Sequence, residues 1–258
     1  MTLRLFTETR GSGPDLVLLH GWGMNSGAWE KFAESLYGDF RLHFIDLPGF
    51  GRNADIMPCH YSLEAVSDLI APHIPQGAML MGWSLGGLIA QHIAIHRMAN
   101  LSMMVMMTST PQFVETNDWP GIKPSILQQF EQQLEHDFSK TLERFLAIQA
   151  MGSATARRDM KAISQAISQY PLPNVDALRK GLMLLSTVDH RKRLAEISVP
   201  SHWIFGRLDS LVPRTLHRRI EQLQPGAQSH LIEHASHAPF ISHPQEIYRL
   251  LIHIGNGL

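Results

Sequence analysis

Cysteine, long apolar runs and charge of one sign are all scarce in this 258-residue chain. The single cysteine, Cys59, cannot form an internal disulfide, which excludes a small disulfide-stapled fold and favours a reducing compartment. No run reaches the roughly 18 apolar residues of a membrane-spanning helix, and the first residues lack the apolar core of a signal peptide. We therefore expect a soluble, cytoplasmic protein.

The charges nearly cancel, because 22 Lys and Arg face 23 Asp and Glu. Such a chain has no global field that would attract nucleic acid or a membrane surface, and we expect neither as a partner. The distribution is uneven, since residues 118–193 carry 11 basic and 8 acidic side chains. A charged partner would therefore meet this segment, although a solvated helical face explains the same excess.

Short apolar runs alternate with helical patterns, which is typical of a parallel sheet with crossover helices. Residues 3–6 predict an additional antiparallel edge strand before the parallel set. The sequence thus predicts an α/β fold, with a mostly parallel sheet and flanking helices. The apolar runs are residues 16–19, 42–45, 79–81, 103–107, 202–205 and 229–232.

The alternation of strand and helix stops after Thr110 and resumes at Pro200. Between them the pattern predicts three helical stretches, near residues 125–150, 155–169 and 175–187. We predict a core domain of residues 1–117 and 194–258, with residues 118–193 inserted as an all-helical cap. Ligands bind at the carboxyl ends of the strands in such sheets, so the cap should cover the site.

The motif Gly-Trp-Ser-Leu-Gly at residues 82–86 stands between an apolar run and a helical pattern. A serine between a strand and a helix sits in a crowded turn, which requires very small neighbours and benefits from the positive end of the helix. Gly82, Gly86 and Gly87 meet this requirement. The pattern predicts that Ser84 is a catalytic nucleophile, whereas the same letters elsewhere would indicate a common glycine-rich turn.

A serine nucleophile needs a base, and the base needs a carboxylate that fixes its tautomer. In this kind of fold the chain order is serine, acid, histidine. Asp209 follows the run at 202–205, and His237 follows the run at 229–232. We predict a Ser84–Asp209–His237 triad, with His234 on the same loop as the alternative base.

Acyl transfer also needs N–H donors for the oxyanion of the tetrahedral intermediate. We predict the backbone amide of Leu85, which follows the nucleophile, and that of Trp22 in the His-Gly-Trp-Gly segment at residues 20–23.

Three patterns suggest a metal or a cofactor, and each has a simpler explanation. The histidines within residues 230–237 should point in different directions, and no thiolate or carboxylate set completes a zinc site. His92 and His96 share one face of a helix but lack a third ligand. Residues 49–54 imitate a dinucleotide-binding loop, but no apolar helix follows directly. We therefore predict neither a metal nor a cofactor.

Taken together, these motifs resemble those of the α/β-hydrolases. The general resemblance is carried by residues 19–23, 46–52, 82–86, 205–209 and 237–239. A narrower resemblance is to the pimeloyl-[acyl-carrier protein] methyl ester carboxylesterases of biotin synthesis. It is carried by residues 82–87, 118–124, 143–147, 150–152 and 237–244.

The resemblance implies an α/β-hydrolase fold and a serine esterase that removes a methyl group, as methanol, from a pimeloyl chain on acyl-carrier protein. It also implies that this acidic carrier docks on basic side chains of the cap, namely Lys140, Arg144, Arg157 and Lys161. We expect an apolar wall for the acyl chain, formed by Trp22, Trp83, Leu85 and Phe145.

Other functions are compatible with the same motifs. One alternative is a broad short-chain carboxylesterase or a C–C bond hydrolase of the same fold. Another is a ligand receptor that retains the triad. For the esterase we expect a monomer.

Overall fold

The structure is a computed structural model and describes residues 3–151 and 155–255. Its seven-stranded sheet has the order β1-β3-β2-β4-β5-β6-β7, and every neighbouring pair is parallel except β1 and β3. This confirms the predicted α/β class and mostly parallel sheet. The strands are β1 (Thr7–Gly11), β2 (Asp15–Leu19), β3 (Arg41–Ile45), β4 (Ala78–Trp83), β5 (Leu101–Met107), β6 (Ser201–Gly206) and β7 (Gln228–Ile232).

Helices cover both faces of the sheet. Successive residues of each buried strand point to opposite sides, so both faces carry apolar side chains that have to be buried. In β2, Val17 and Leu19 join one apolar cluster, whereas Leu16 and Leu18 join the other. The first cluster includes α2 (Leu63–Ile70), α3 (Leu85–Ile95) and α8 (Leu216–Leu223), and the second includes α1 (Glu30–Ala33), α9 (Pro239–Ser242) and α10 (Pro244–Gly255). Among the described residues, no helix is both long and apolar enough to cross a membrane.

The edge strand was predicted at the wrong residues. The strand is β1 at Thr7–Gly11, not residues 3–6. Within 3–6 only Leu5 is buried, whereas Phe6 is exposed and donates its amide to Asn53 Oδ1. β1 is an edge strand that pairs only with β3, so polar side chains are tolerated along it. The apolar residues 3–6 that precede β1 therefore did not mark the strand.

Between β5 and β6 the described residues form four α-helices, not three: α4 (Pro124–His136), α5 (Phe138–Ala150), α6 (Ala156–Ile167) and α7 (Val175–Thr187). The single stretch predicted near residues 125–150 was wrong, because Asp137 leaves the helical conformation at φ −155° and ψ 91°. Its side chain then accepts the amide of Lys140 and caps α5. Residue 152, at the end of the 150–152 motif, lies outside the described residues.

Candidate active site

Ser84 lies in the single-residue turn between β4 and α3, with φ 53° and ψ −116°. Few residues other than glycine adopt a positive φ, and such strain persists only where the surroundings enforce it. Here the Ser84 amide donates to the Met107 carbonyl at 3.0 Å. The Ser84 carbonyl accepts from the Gly87 amide at 2.9 Å and from Ser109 Oγ at 2.8 Å. These hydrogen bonds therefore fix Ser84 in a turn that projects beyond the end of β4.

The glycines around Ser84 are required by space. A Cβ at Gly82 would lie 2.4 Å from the Gly86 carbonyl oxygen. At Gly86 it would lie 2.5 Å from the Leu19 carbonyl oxygen, and at Gly87 it would lie 2.3 Å from Ser109 Oγ. Backbone occupies the first two positions, so no side chain fits without opening the turn.

Asp209 and His237 form a buried pair at the carboxyl ends of β6 and β7. His237 Nδ1 lies 2.7 Å from Asp209 Oδ2. The other carboxylate oxygen, Oδ1, accepts the amides of Leu211 at 2.8 Å and Val212 at 3.0 Å. Because both oxygens are held, the carboxylate has one orientation. An ionised Asp209 only accepts, which places the proton of the neutral ring on Nδ1 and leaves Nε2 as a proton acceptor.

His237 is also tied through its backbone to the turn that carries Ser84. Its carbonyl accepts from Trp83 Nε1 at 2.8 Å and from Thr108 Oγ1 at 2.7 Å. His237 Nε2 is buried and has no hydrogen-bond partner among the described residues. It therefore makes no hydrogen bond to Ser84 Oγ. Ser84, Asp209 and His237 thus follow the carboxyl ends of β4, β6 and β7, at one edge of the sheet, and His237 Nε2 is unpaired in the buried site.

The alternative histidines lie elsewhere. His234 is exposed on the surface. The His230 ring stacks on His202, with the ring centroids 5.3 Å apart. Within residues 3–151 and 155–255, no three His, Cys, Asp or Glu side chains are arranged to hold a metal ion.

The segment that contains Trp22 lies directly against the serine, since a Cβ at Gly21 would be 3.2 Å from Ser84 Cβ. His20 fixes this segment: its Nε2 accepts the Leu47 amide at 2.9 Å, and its Nδ1 lies 2.8 Å from the Gly21 carbonyl. Burial lowers the pKa of His20, which keeps the ring neutral. On the other side of Ser84, the Leu85 amide begins α3 and is one of the N–H groups without an intrahelical acceptor.

Three of the four residues predicted to line the acyl site face the helices above the sheet. The rings of Trp22 and Phe145 meet edge to face, with centroids 4.6 Å apart, and a Cβ at Gly181 of α7 would touch both Trp22 and Leu85. The Trp83 ring instead packs in the core against Trp29 and Phe240, and its centroid lies 6.2 Å from that of the His237 ring.

The four basic residues predicted to dock a carrier are all exposed, on two helices that pack together. Lys140 and Arg144 lie on α5, and Arg157 and Lys161 lie on α6. Lys140 Nζ is 3.2 Å from an Asp137 carboxylate oxygen, and Arg144 donates to Gln133 Oε1 at 2.9 Å.

Sequence reasoning missed Gln149. Its backbone carbonyl accepts the His237 amide at 3.1 Å, and its buried Oε1 has no hydrogen-bond partner among the described residues. The available signal was its position four residues after Phe145, on the same face of α5. A polar side chain buried beside His237 is suited to bind a polar group of a substrate.

Comparisons with known proteins agree with this geometry. A family model described as alpha/beta hydrolase fold matches residues 14–244, and the chain belongs to this family. Among solved structures, an esterase from Exiguobacterium antarcticum superposes with a TM-score of 0.86 at 20% identity, covering 97% of this chain and 94% of that one. A hydrolase from Oleispira antarctica superposes with a TM-score of 0.83 at 20% identity, covering 97% and 94%. At such identity the likeness shows the fold.

Curated relatives are much closer in sequence. A protein from Pseudoalteromonas atlantica is 47% identical over 247 residues, which are 95% of this chain and 96% of the relative. One from Vibrio cholerae is 42% identical over 252 residues, which are 98% of each chain. Both are named pimeloyl-[acyl-carrier protein] methyl ester esterase. The predicted fold and the predicted resemblance are therefore confirmed.

Proposed function

We propose that this protein is a serine carboxylesterase. It hydrolyses the methyl ester of pimeloyl-[acyl-carrier protein] methyl ester to pimeloyl-[acyl-carrier protein] and methanol, a step of biotin synthesis. The names of its relatives support the substrate. The observation that carries the mechanism is the buried Asp209–His237 pair beside the strained Ser84 turn.

In the first half-reaction Ser84 Oγ attacks the ester carbonyl carbon while His237 Nε2 takes its proton. Asp209 accepts the Nδ1–H bond and stabilises the imidazolium that forms. The carbonyl oxygen becomes an oxyanion, which the amides of Leu85 and Trp22 stabilise by hydrogen bonds. His237 then returns the proton to the methoxy oxygen, the C–O bond breaks, and methanol leaves an acyl-Ser84 ester.

The second half-reaction repeats these steps with water. His237 removes a proton from the water as its oxygen attacks the acyl carbon, and the same two amides bind the second oxyanion. Collapse of this intermediate breaks the bond to Ser84 Oγ, which recovers its proton from His237. The product is a carboxylic acid at the far end of the carrier-linked chain, which releases its remaining proton to solvent and becomes a carboxylate.

The acyl chain presents about five methylenes, and burial of each contributes about 0.8 kcal/mol, or about 4 kcal/mol in all. Trp22, Leu85 and Phe145 face the helices above Ser84 and supply apolar surface for this chain. Trp83 is not part of this surface, because its ring packs against Trp29 and Phe240. The thioester to the carrier is the more reactive group, so its survival depends on position: the carrier stays outside while only the distal ester reaches Ser84.

The carrier docks on the exposed face of α5 and α6, through Lys140, Arg144, Arg157 and Lys161. An acidic carrier matches these cations, which act chiefly on the association rate. In this arrangement residues 118–193 are the cap of the site, and residues 1–117 with 194–258 are its core. The enzyme acts as a cytoplasmic monomer without a cofactor.

The test is Ser84→Ala, assayed on the methyl ester of pimeloyl-carrier protein by methanol release. We expect a loss of about 10⁵- to 10⁶-fold, as for other serine hydrolases without their nucleophile. Ser186→Ala is the matched control, because Ser186 is exposed on α7 and its Oγ donates to the Met183 carbonyl. Turnover that survives in Ser84→Ala would refute the mechanism, and turnover of small esters alone by the unmodified protein would refute the substrate.

A further inference from the structure

The indole of Trp22 is anchored on α7, far from it in sequence. Trp22 Nε1 donates to the Leu178 carbonyl at 2.8 Å, and both residues are fully buried. The backbone amide of this same tryptophan is the proposed second oxyanion donor. Since the ring and the amide share one Cα in a short loop packed against Ser84, a displaced ring redirects the amide.

Gly181 is the residue of α7 that makes this anchoring possible. A Cβ at Gly181 would lie 2.7 Å from Cδ1 and 3.1 Å from Nε1 of Trp22, and 3.4 Å from Leu85 Cδ2. A glycine inside a helix is unfavourable compared with alanine, so helix stability does not explain its presence. The space it leaves is filled by the ring whose N–H reaches α7.

α7 is itself held against the core near both ends. Before it, the Asn174 amide donates to the Gly49 carbonyl at 2.8 Å, and after it the His190 amide donates to the Pro111 carbonyl at 2.9 Å. The loop that contains Gly49 also contains Leu47, whose amide donates to His20. One loop therefore supports both α7 and the segment that carries Trp22, which makes α7 a fixed support.

We infer that α7 positions the oxyanion-binding amide of Trp22, through the Leu178 carbonyl and the absence of a side chain at Gly181. The inference rests on the proposed function, because it assigns a role to residues behind that site. Gly181 is a positioning residue, and α7 belongs to the catalytic scaffold.

The first test is Gly181→Ala, assayed with a small p-nitrophenyl ester and with a boronic acid that imitates the tetrahedral intermediate. Loss of one oxyanion donor typically lowers kcat about 10²- to 10³-fold, and a displaced donor should lower it about 10- to 100-fold. We expect weaker boronic acid binding by a similar factor, KM within about threefold and an unchanged Tm. Gly38→Ala is the control, because a methyl group there meets nothing within 4 Å.

A double-mutant cycle tests whether the effect passes through the indole. In a Trp22→Leu background the ring is gone, so Gly181→Ala should change kcat less than about threefold. An equal loss in both backgrounds would overturn the inference, and so would a kcat within threefold of the unmodified protein for Gly181→Ala alone.

If Gly181→Ala does not fold, Trp22→Phe provides the second test. It removes the Nε1–H donor and retains an aromatic ring, so kcat should fall while KM stays nearly constant; unchanged kcat would overturn the inference. Because these assays use a small ester, they remain decisive even if the carrier-linked ester proves not to be the substrate.

Discussion

Two parts of the inserted helical segment, α7 and the α5–α6 pair, contact the protein in different ways. α7 buries six of its 13 residues and accepts the indole N–H of Trp22. α6 buries two of its 12 residues. Together, α5 and α6 expose five cations, Lys140, Arg144, Arg157, Arg158 and Lys161. The helices between β5 and β6 thus combine a buried element that binds the Trp22 indole with an exposed cationic face.

Substitutions in α7 and in the α5–α6 pair should therefore affect different substrates. Changes that reach the oxyanion or the triad should slow every ester to the same degree, because every ester uses the same transition-state contacts. Changes on the exposed face of α5 and α6 should slow only the carrier-linked ester.

Asp209→Asn should have the largest effect, and it sets the reference for a purely chemical defect. Asparagine cannot stabilise the imidazolium of His237 and favours the wrong tautomer, so kcat should fall about 10⁴-fold. We expect the same loss on the carrier-linked ester and on a small p-nitrophenyl ester. A loss confined to the carrier-linked ester would contradict the division between the two parts.

The double reversal Arg144→Glu with Arg157→Glu should act on the partner surface alone. Repulsion of the acidic carrier should lower kcat/KM for the carrier-linked ester about 10- to 100-fold at low salt, and added salt should narrow the gap. Turnover of the small ester should not change. Lys180→Glu with Lys192→Glu is the control of equal charge change, since both residues are exposed outside α5 and α6. Equal losses in both pairs would indicate net charge and not a docking surface.

A smaller effect should appear in stability at acid pH, where the chain beyond α7 meets α3. The His190 ring lies 5.9 Å from that of His92, and burial, aided by His96 and Arg193, lowers the pKa of both histidines to about 4. The nearby carboxylates, Asp68 and Asp189, only partly oppose this shift.

In the unfolded chain both histidines titrate near 6.5, so below that pH the unfolded state binds more protons. The stabilisation from neutral His92 and His190 is therefore complete above about pH 6.5 and is lost as pH falls toward 4. We expect Tm to drop by several degrees over this interval, and less in the His92→Gln, His190→Gln protein. Parallel Tm curves for the two proteins would contradict this expectation.

The strands and the strand-end site could be predicted because their signals are local. Five of the six apolar runs begin one residue after the observed start of their strand. The sixth, at residues 103–107, begins two residues after the start of β5. The turn at Ser84 is encoded by its glycines, each of which would clash if it carried a Cβ. Asp209 and His237 follow from strand order, since loops at the carboxyl ends of parallel strands meet at one edge.

The remaining features depend on contacts that no short window contains. The break at Asp137 was missed because apolar residues continue at helical spacing on both sides of it. The role of Gln149 depends on its hydrogen bond to His237. The role of the Trp22 indole depends on its hydrogen bond to Leu178, 156 residues away. Such pairings arise from tertiary packing, which overrides local propensity.

The most direct measurement is the intact mass of the protein after rapid acid quench during turnover of methyl pimeloyl-carrier protein. Attack by Ser84 on the distal ester predicts a transient species whose mass is that of the enzyme plus methyl pimeloyl-carrier protein, less one methanol. Its cross-link should map to the peptide that contains Ser84 and be absent from Ser84→Ala. Methanol release without this species, or an acylated enzyme accompanied by free carrier, would contradict the proposed chemistry.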